Sequence, residues 1–82
     1  MKIVYCGRVA EIAGTREEEV APPPEIRTVE TLRAWLGRDR PELLTALCAP
    51  AVRAVVNDEV AQADRAIAAG DEIAFLPPVS GG

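Results

Sequence analysis

Residues 28–36 read TVETLRAWL. Val29, Leu32, Trp35 and Leu36 recur at helical spacing and share one face, so the stretch predicts an amphipathic helix. Thr28 is suited to cap it, and Glu30 falls in the first turn, where the helix dipole favours an acid. Gly37 ends it. An apolar helix face needs a surface to cover, and the flanking segments supply one. Lys2–Cys6 (KIVYC) and Glu17–Ala21 (EEEVA) read as strands before the helix, the second exposed on one side. After it come Arg53–Val56 (RAVV), a turn at Asn57-Asp58, a return strand beginning Glu59-Val60-Ala61, and a final strand Glu72–Leu76 (EIAFL). With strands on both sides of one main helix, the chain is expected to be α+β: a mixed sheet of four to five strands with that helix packed on one face.

The connections fit this plan. Arg8–Ala13 (RVAEIA) predicts a short helix with Gly14 as its C-cap. Pro22-Pro23-Pro24 forbids regular pairing and marks a loop. Pro41–Leu47 (PELLTAL) predicts another short helix, with Pro41 tolerated in its first turn. Ala69-Gly70-Asp71 predicts a turn, and Pro77-Pro78 stops the last strand. Strand alternation then divides the side chains. Ile3, Tyr5, Ile73 and Phe75 belong beneath the helix. Val4, Cys6, Ala74 and Leu76 make the opposite face apolar enough to suggest a protein interface rather than a loop-covered surface.

Composition narrows the function. The 82 residues amount to one domain near the lower limit for an unaided core, with 49% apolar and 27% charged side chains. Thirteen acids against nine bases give a net charge of −4, which argues against a nucleic-acid partner. Two cysteines, Cys6 and Cys48, form no CxxC pair, no apolar run is long enough for a membrane span, and no leader pattern opens the chain. A cytoplasmic location is the expectation. There is no histidine, which removes the commonest general base and metal ligand. Glu17-Glu18-Glu19 reads as a solvated charge run. Lys2, the only lysine, reads as surface charge.

What remains is the end, FLPPVSGG (Phe75–Gly82). Residues 1–76 read as the globular domain and residues 77–82 as an arm. Pro77-Pro78 stiffens its exit from the strand, with Val79 and Ser80 beyond. Gly81 and Gly82 carry no side chain, so the arm can thread a narrow channel. A terminal carboxylate is ionised and unreactive at neutral pH. Converted to an acyl adenylate by another enzyme, it would become an acyl donor. The chemistry would then reside on the main-chain carboxyl of Gly82. A frayed tail is the plainer account of Gly-Gly alone.

GDEIAFLPPVSGG (Gly70–Gly82) closely resembles the C-terminus of the small subunits of molybdopterin synthase, a family of ubiquitin-like sulfur carriers. The likeness extends to KIVYCGRVAEIAG, TVETLRAWL and AVVNDEV, and so over nearly the whole chain. The resemblance implies a β-grasp (ubiquitin-like) fold. It implies that an adenylating enzyme activates Gly82 with ATP, that a sulfur donor makes a thiocarboxylate there, and that the arm delivers sulfur to a pterin precursor inside the large synthase subunit. Catalytic side chains would belong to that subunit, two of which would join two small subunits in a hetero-tetramer. No cofactor would be bound by this chain itself. Gly81 and Gly82 carry over as the reactive end, and Cys6, Leu76, Pro77, Pro78, Val79 and Ser80 as partner contacts. Cys6 and Leu76 stand where the family often has aromatics, and Ala10 where it often has a basic residue. A carrier for another pathway such as thiamine, a ubiquitin-like modifier, and a plain binding module are the alternatives, in that order.

Overall fold

The computed structural model describes residues 1–78; Val79, Ser80, Gly81 and Gly82 lie outside the described residues. The elements follow as β1 (Lys2–Tyr5), α1 (Gly7–Ala13), β2 (Glu17–Glu19), α2 (Val29–Leu36), α3 (Pro41–Cys48), β3 (Arg53–Val56), β4 (Glu59–Ala61) and β5 (Glu72–Leu76). The five strands form one sheet in the order β2-β1-β5-β3-β4. β1 and β5 run parallel, and every other pair is antiparallel, so the expected mixed sheet is present.

Local chemistry accounts for the boundaries. At α2, the Thr28 hydroxyl accepts from the Thr31 amide at 3.2 Å, and the Thr31 hydroxyl accepts from the Thr28 amide at 3.0 Å. Two amides without helical partners are thereby satisfied reciprocally. α1 begins one residue earlier than the sequence suggests, with Cys6 as its N-cap, and closes on Gly14 at φ 80°. α3 starts at Pro41, whose missing N–H costs nothing in a first turn, and continues to Cys48. β2 stops at Glu19, short of the expected Ala21. Val20 still donates to the Met1 carbonyl at 2.9 Å, but the approaching prolines, which lack N–H donors, carry the chain off the edge. Asn57 (φ 48°) and Asp58 (φ 70°) make the two-residue turn between β3 and β4, its positive φ angles matching strand twist. The Asn57 side chain then ties this hairpin to β5, donating to Asp71 Oδ1 and accepting from the Glu72 amide, both at 3.0 Å.

The core lies between the sheet and the helices. Ile3, Tyr5, Ile73 and Phe75 are all buried, as alternation predicts, against Val9, Val29, Leu32, Leu36, Leu43 and Leu47 from the helices. Each such side chain contributes about 1.5–3 kcal/mol by leaving water. Trp35, expected on the same face, is only half-buried: it packs at the core margin, with the Arg38 guanidinium 4.4 Å from its ring centroid. Eight residues of helix give a stripe wide enough for Val29, Leu32 and Leu36, and Trp35 falls on its shoulder.

Candidate functional site

Strand register builds a continuous row on the sheet face away from the helices. Val4 pairs with Ala74, Ala74 with Val55, and Val55 with Val60. Directly paired residues point to the same side. Ile3, Tyr5, Ala54, Val56, Ile73 and Phe75 take the helix side, so this row faces out. No loop covers it among the described residues: Val4, Val55 and Ala74 are part-exposed and Val60 is 63% exposed. The next row pairs Leu76, 36% exposed, with Arg53. The row is apolar and carries an exposed valine at its β4 end, with an exposed leucine beside it.

Its margin is charged. Lys2 Nζ lies 3.2 Å from Glu17 and 3.8 Å from Glu72, one carboxylate from each neighbouring strand. The hydrogen bond and charge of Glu17, then the charge of Glu72, hold the Lys2 ammonium above the ordinary lysine value.

Pro77 and Pro78 follow β5 and stand at the middle of this sheet, because β5 is the third of five strands. Phe75 is fully buried and its carbonyl accepts from the Cys6 amide at 3.2 Å, the last rung holding β5 to the β1–α1 junction. Pro77 and Pro78 have no N–H, so the ladder stops there. Pro77 sits over Gly7: a Cβ at Gly7, whose φ is +54°, would meet Pro77 Cγ at 3.0 Å. Both prolines line a groove with Arg8, Val9 and Ile12 of α1 and Ala46 of α3. The two prolines after β5 are therefore placed against α1 and α3.

The residues expected from sequence divide accordingly. Cys6 is half-buried at the α1 N-cap, Leu76 and Pro78 are exposed, and Pro77 is half-buried; all adjoin the arm base. Cys6 and Ala10 share a shallow depression with Val4. Small side chains at these two positions leave that depression open. Val79 and Ser80, expected as partner contacts, and Gly81 and Gly82, expected as the reactive end, lie outside the described residues. Among the described residues, no three His, Cys, Asp or Glu side chains converge as a metal group, and no helix is long and apolar enough to cross a membrane.

Three residues near this region have roles that local sequence pattern does not show. Gly7 supports Pro77, and its signal was a glycine wedged between a strand and a helix. Glu18 is not part of a solvated run: in register with Ile3 it turns to the helix side, where it accepts from the Tyr5 hydroxyl at 2.7 Å and lies 3.5 Å from Arg40. Arg33 lays its guanidinium 5.7 Å from the Phe75 ring centroid.

The sequence signature of the ThiS family matches residues 3–82. The chain is 35% identical over its full 82 residues to the molybdopterin synthase sulfur carrier subunit of Escherichia coli K12, spanning 99% of that protein. It is 31% identical, again over its full length, to the human molybdopterin synthase sulfur carrier subunit, of which it covers 93%. Among solved structures, SAMP1 from Haloferax volcanii superposes with a TM-score of 0.84 at 32% identity, covering 100% of this chain and 98% of that one.

Proposed function

The chain belongs to the ThiS family, and from that premise we propose that it is a sulfur carrier of molybdopterin synthesis. The observation that carries the reading is the end-to-end match, at 35% and 31% identity, to two proteins named for that role. In this reading a partner adenylating enzyme joins the Gly82 carboxylate to AMP from ATP, with pyrophosphate leaving. A sulfur donor then displaces AMP, giving a thiocarboxylate. The arm presents that sulfur to a pterin precursor inside a large synthase subunit, whose side chains do the catalysis. The chain is thus a non-catalytic subunit that works by presenting a main-chain group.

The fold supports this division of labour. A packed Phe75 and a supported Pro77 fix where the arm starts, which reduces the ordering cost when it enters a channel. The apolar row from Val4 to Val60, with Leu76 beside it, supplies a docking face next to that start. Cys6, Leu76, Pro77, Pro78, Val79 and Ser80 are the contacts of choice, and Gly81 and Gly82 the reactive end. A hetero-tetramer with two large subunits follows from the same resemblance.

The test is an intact mass after incubation with ATP, a cognate adenylating enzyme and sulfide. A gain corresponding to sulfur in place of one oxygen, mapped to the terminal peptide, is the expected result. Pyrophosphate release without any such gain, with sulfide reactive toward another carrier, overturns the sulfur-carrier reading. A second reading has its own support, because the SAMP1 structures are described as small archaeal modifier proteins and one superposes at a TM-score of 0.82 with 29% identity. In that case Gly82 forms amides with lysines of target proteins, and covalent adducts in extract replace the mass gain.

A further inference from the structure

An activated carboxyl is indiscriminate: any nearby free amine can take it. The chain that carries one is present at its own concentration, so its own lysines are the nearest competitors for the acyl group. This sequence has one lysine against eight arginines. A guanidinium remains protonated at every accessible pH and does not attack acyl groups. That leaves Lys2 as the only side-chain amine.

Lys2 is accessible: its side chain is 43% exposed on the outer sheet face. It is also enclosed by acid. Glu17 of β2 lies 3.2 Å away and Glu72 of β5 lies 3.8 Å away, while Glu19 stands opposite Lys2 in the β1–β2 register. No cationic side chain joins this cluster among the ion pairs of the described residues. The nearest other amine is the α-amino group of Met1, which donates to the Val20 carbonyl at 3.1 Å and to Glu19 at 3.5 Å.

We propose that Lys2 is a guarded amine: the one side-chain amine of this protein that its own activated carboxyl could convert to an amide, held as an ammonium by Glu17 and Glu72 so that copies of the chain do not couple to one another through it. The inference rests on the proposed activation of Gly82. The reaction held back is fully specified. The lone pair of a neutral Lys2 amine would attack the acyl carbon of Gly82 adenylate on a second copy. A C–N bond would form, the C–O bond to AMP would break, AMP would leave, and the nitrogen would lose a proton to solvent. An ammonium has no lone pair, so the first step waits on deprotonation. Glu17, 3.2 Å away, and Glu72, 3.8 Å away, oppose that deprotonation by hydrogen bond and charge.

The proposal is tested with N-hydroxysuccinimidyl acetate, a small activated ester, on the full chain at neutral pH, with peptide mapping to separate Lys2 from the α-amino group. In the Glu17→Gln/Glu72→Gln double variant, acetylation of Lys2 is expected to be about two- to fivefold faster than in the wild type, the range that exposed ion pairs of this kind support. Each variant's circular dichroism controls for folding. Equal rates in wild type and double variant, or a wild-type Lys2 as reactive as a lysine in an unfolded peptide, overturn it. A second arm uses the adenylating enzyme and ATP without sulfide. The double variant should accumulate chain-to-chain amides at Lys2 faster than the wild type, and Lys2→Arg should form none there. Absence of pyrophosphate release in that arm would count against the activation of Gly82, while the ester rates would still decide whether Lys2 is guarded.

Discussion

The Tyr5 hydroxyl donates to the Glu18 carboxylate at 2.7 Å, across the β1–β2 pair and under the edge of the core. Arg40 approaches the same carboxylate at 3.5 Å while donating to the Leu36 carbonyl at the end of α2. One carboxylate thus links the edge strand, the first strand and the turn between two helices. Burial, then the bond to Glu18, pushes the Tyr5 phenol well above the ordinary tyrosine value.

Alkaline pH should therefore be destabilising through Tyr5. The unfolded phenol ionises near 10, whereas the folded one retains its proton to higher pH. Above the unfolded value the native state binds more protons than the unfolded state, so stability falls as pH rises. Below it the contribution is fully present. Tyr5 is the single tyrosine, so tyrosinate absorbance reads this residue alone. Tyr5→Phe should lose about 1 kcal/mol at neutral pH and flatten the alkaline decline. A tyrosinate titration with the midpoint of a free tyrosine in the folded protein would contradict the assignment.

Much of this was legible before any coordinates. Period-two alternation placed Ile3, Tyr5, Ile73 and Phe75 inside, and the cap at Thr28 with the apolar face behind it located α2. Strand order was not legible from local pattern, because nothing in KIVYC or EIAFL says that β1 pairs with β5 in parallel. The role of Glu18 was hidden for a related reason. In EEE every side chain is the same, and only the register with Ile3 shows that the middle one turns inward. Gly7 was passed over because its function depends on Pro77, seventy residues away in sequence. The apolar outer face was easier for Val4, Ala74 and Leu76, which alternate with the buried residues of β1 and β5, whereas Cys6 leaves the strand to cap α1 and Val60 joins the face only through the β3–β4 pairing.

Arg33 tests whether a half-buried guanidinium helps this core. It donates to the Val52 carbonyl at 3.2 Å and lies over Phe75, but its buried Nε has no partner. An unsatisfied buried donor costs about 1–3 kcal/mol. Arg33→Met keeps an unbranched stem over Phe75 and removes that donor, so it should be neutral or stabilising. Arg33→Ala, which also removes the packing, should destabilise by about 1–2 kcal/mol. Urea midpoints of the two variants check this. A Met variant as unstable as the Ala variant would show that the charge itself matters.

Gly7→Val should be costly for two reasons that act together. A β-branched residue is strained at φ +54°, by roughly 1–2 kcal/mol. Its Cβ would also meet Pro77 at 3.0 Å, so the base of the arm must shift. Thermal melting should fall, and affinity for a large synthase subunit should fall by more than the fraction unfolded explains. Gly14→Ala is the control: at φ 80° with nothing within 4 Å of the added Cβ, it should cost stability without weakening binding. Equal effects on binding would remove Gly7 from the arm base.

Core position separates Leu32 from Trp35. Leu32 is fully buried under α2, and Leu32→Ala should cost about 2–5 kcal/mol through lost burial and a cavity. Trp35 lies on the margin, stacked with Arg38, so Trp35→Ala should cost less despite removing a larger side chain. Denaturant titration of both variants gives the order. A Trp35 variant less stable than the Leu32 variant would move the core boundary outward.

The outer face and the arm should separate in a single pair of experiments. Leu76→Asp and Val60→Asp each place a charge on an exposed apolar position, so neither disturbs the buried core. If the face docks a large synthase subunit, each should weaken co-elution with it, because the charge must be desolvated against an apolar contact. Deleting Gly81 and Gly82 should abolish sulfur loading at Gly82 while leaving the melting temperature unchanged, since the buried cluster is built from residues between Ile3 and Phe75. The two losses are then distinct: the aspartates reduce docking of a chain that still has its carboxyl terminus at Gly82, and the deletion removes the sulfur position from a chain whose face is intact. Unchanged co-elution of both aspartate variants would move the contact off the Val4–Val60 row. Sulfur loading of the truncated chain would place the reactive group somewhere other than Gly82.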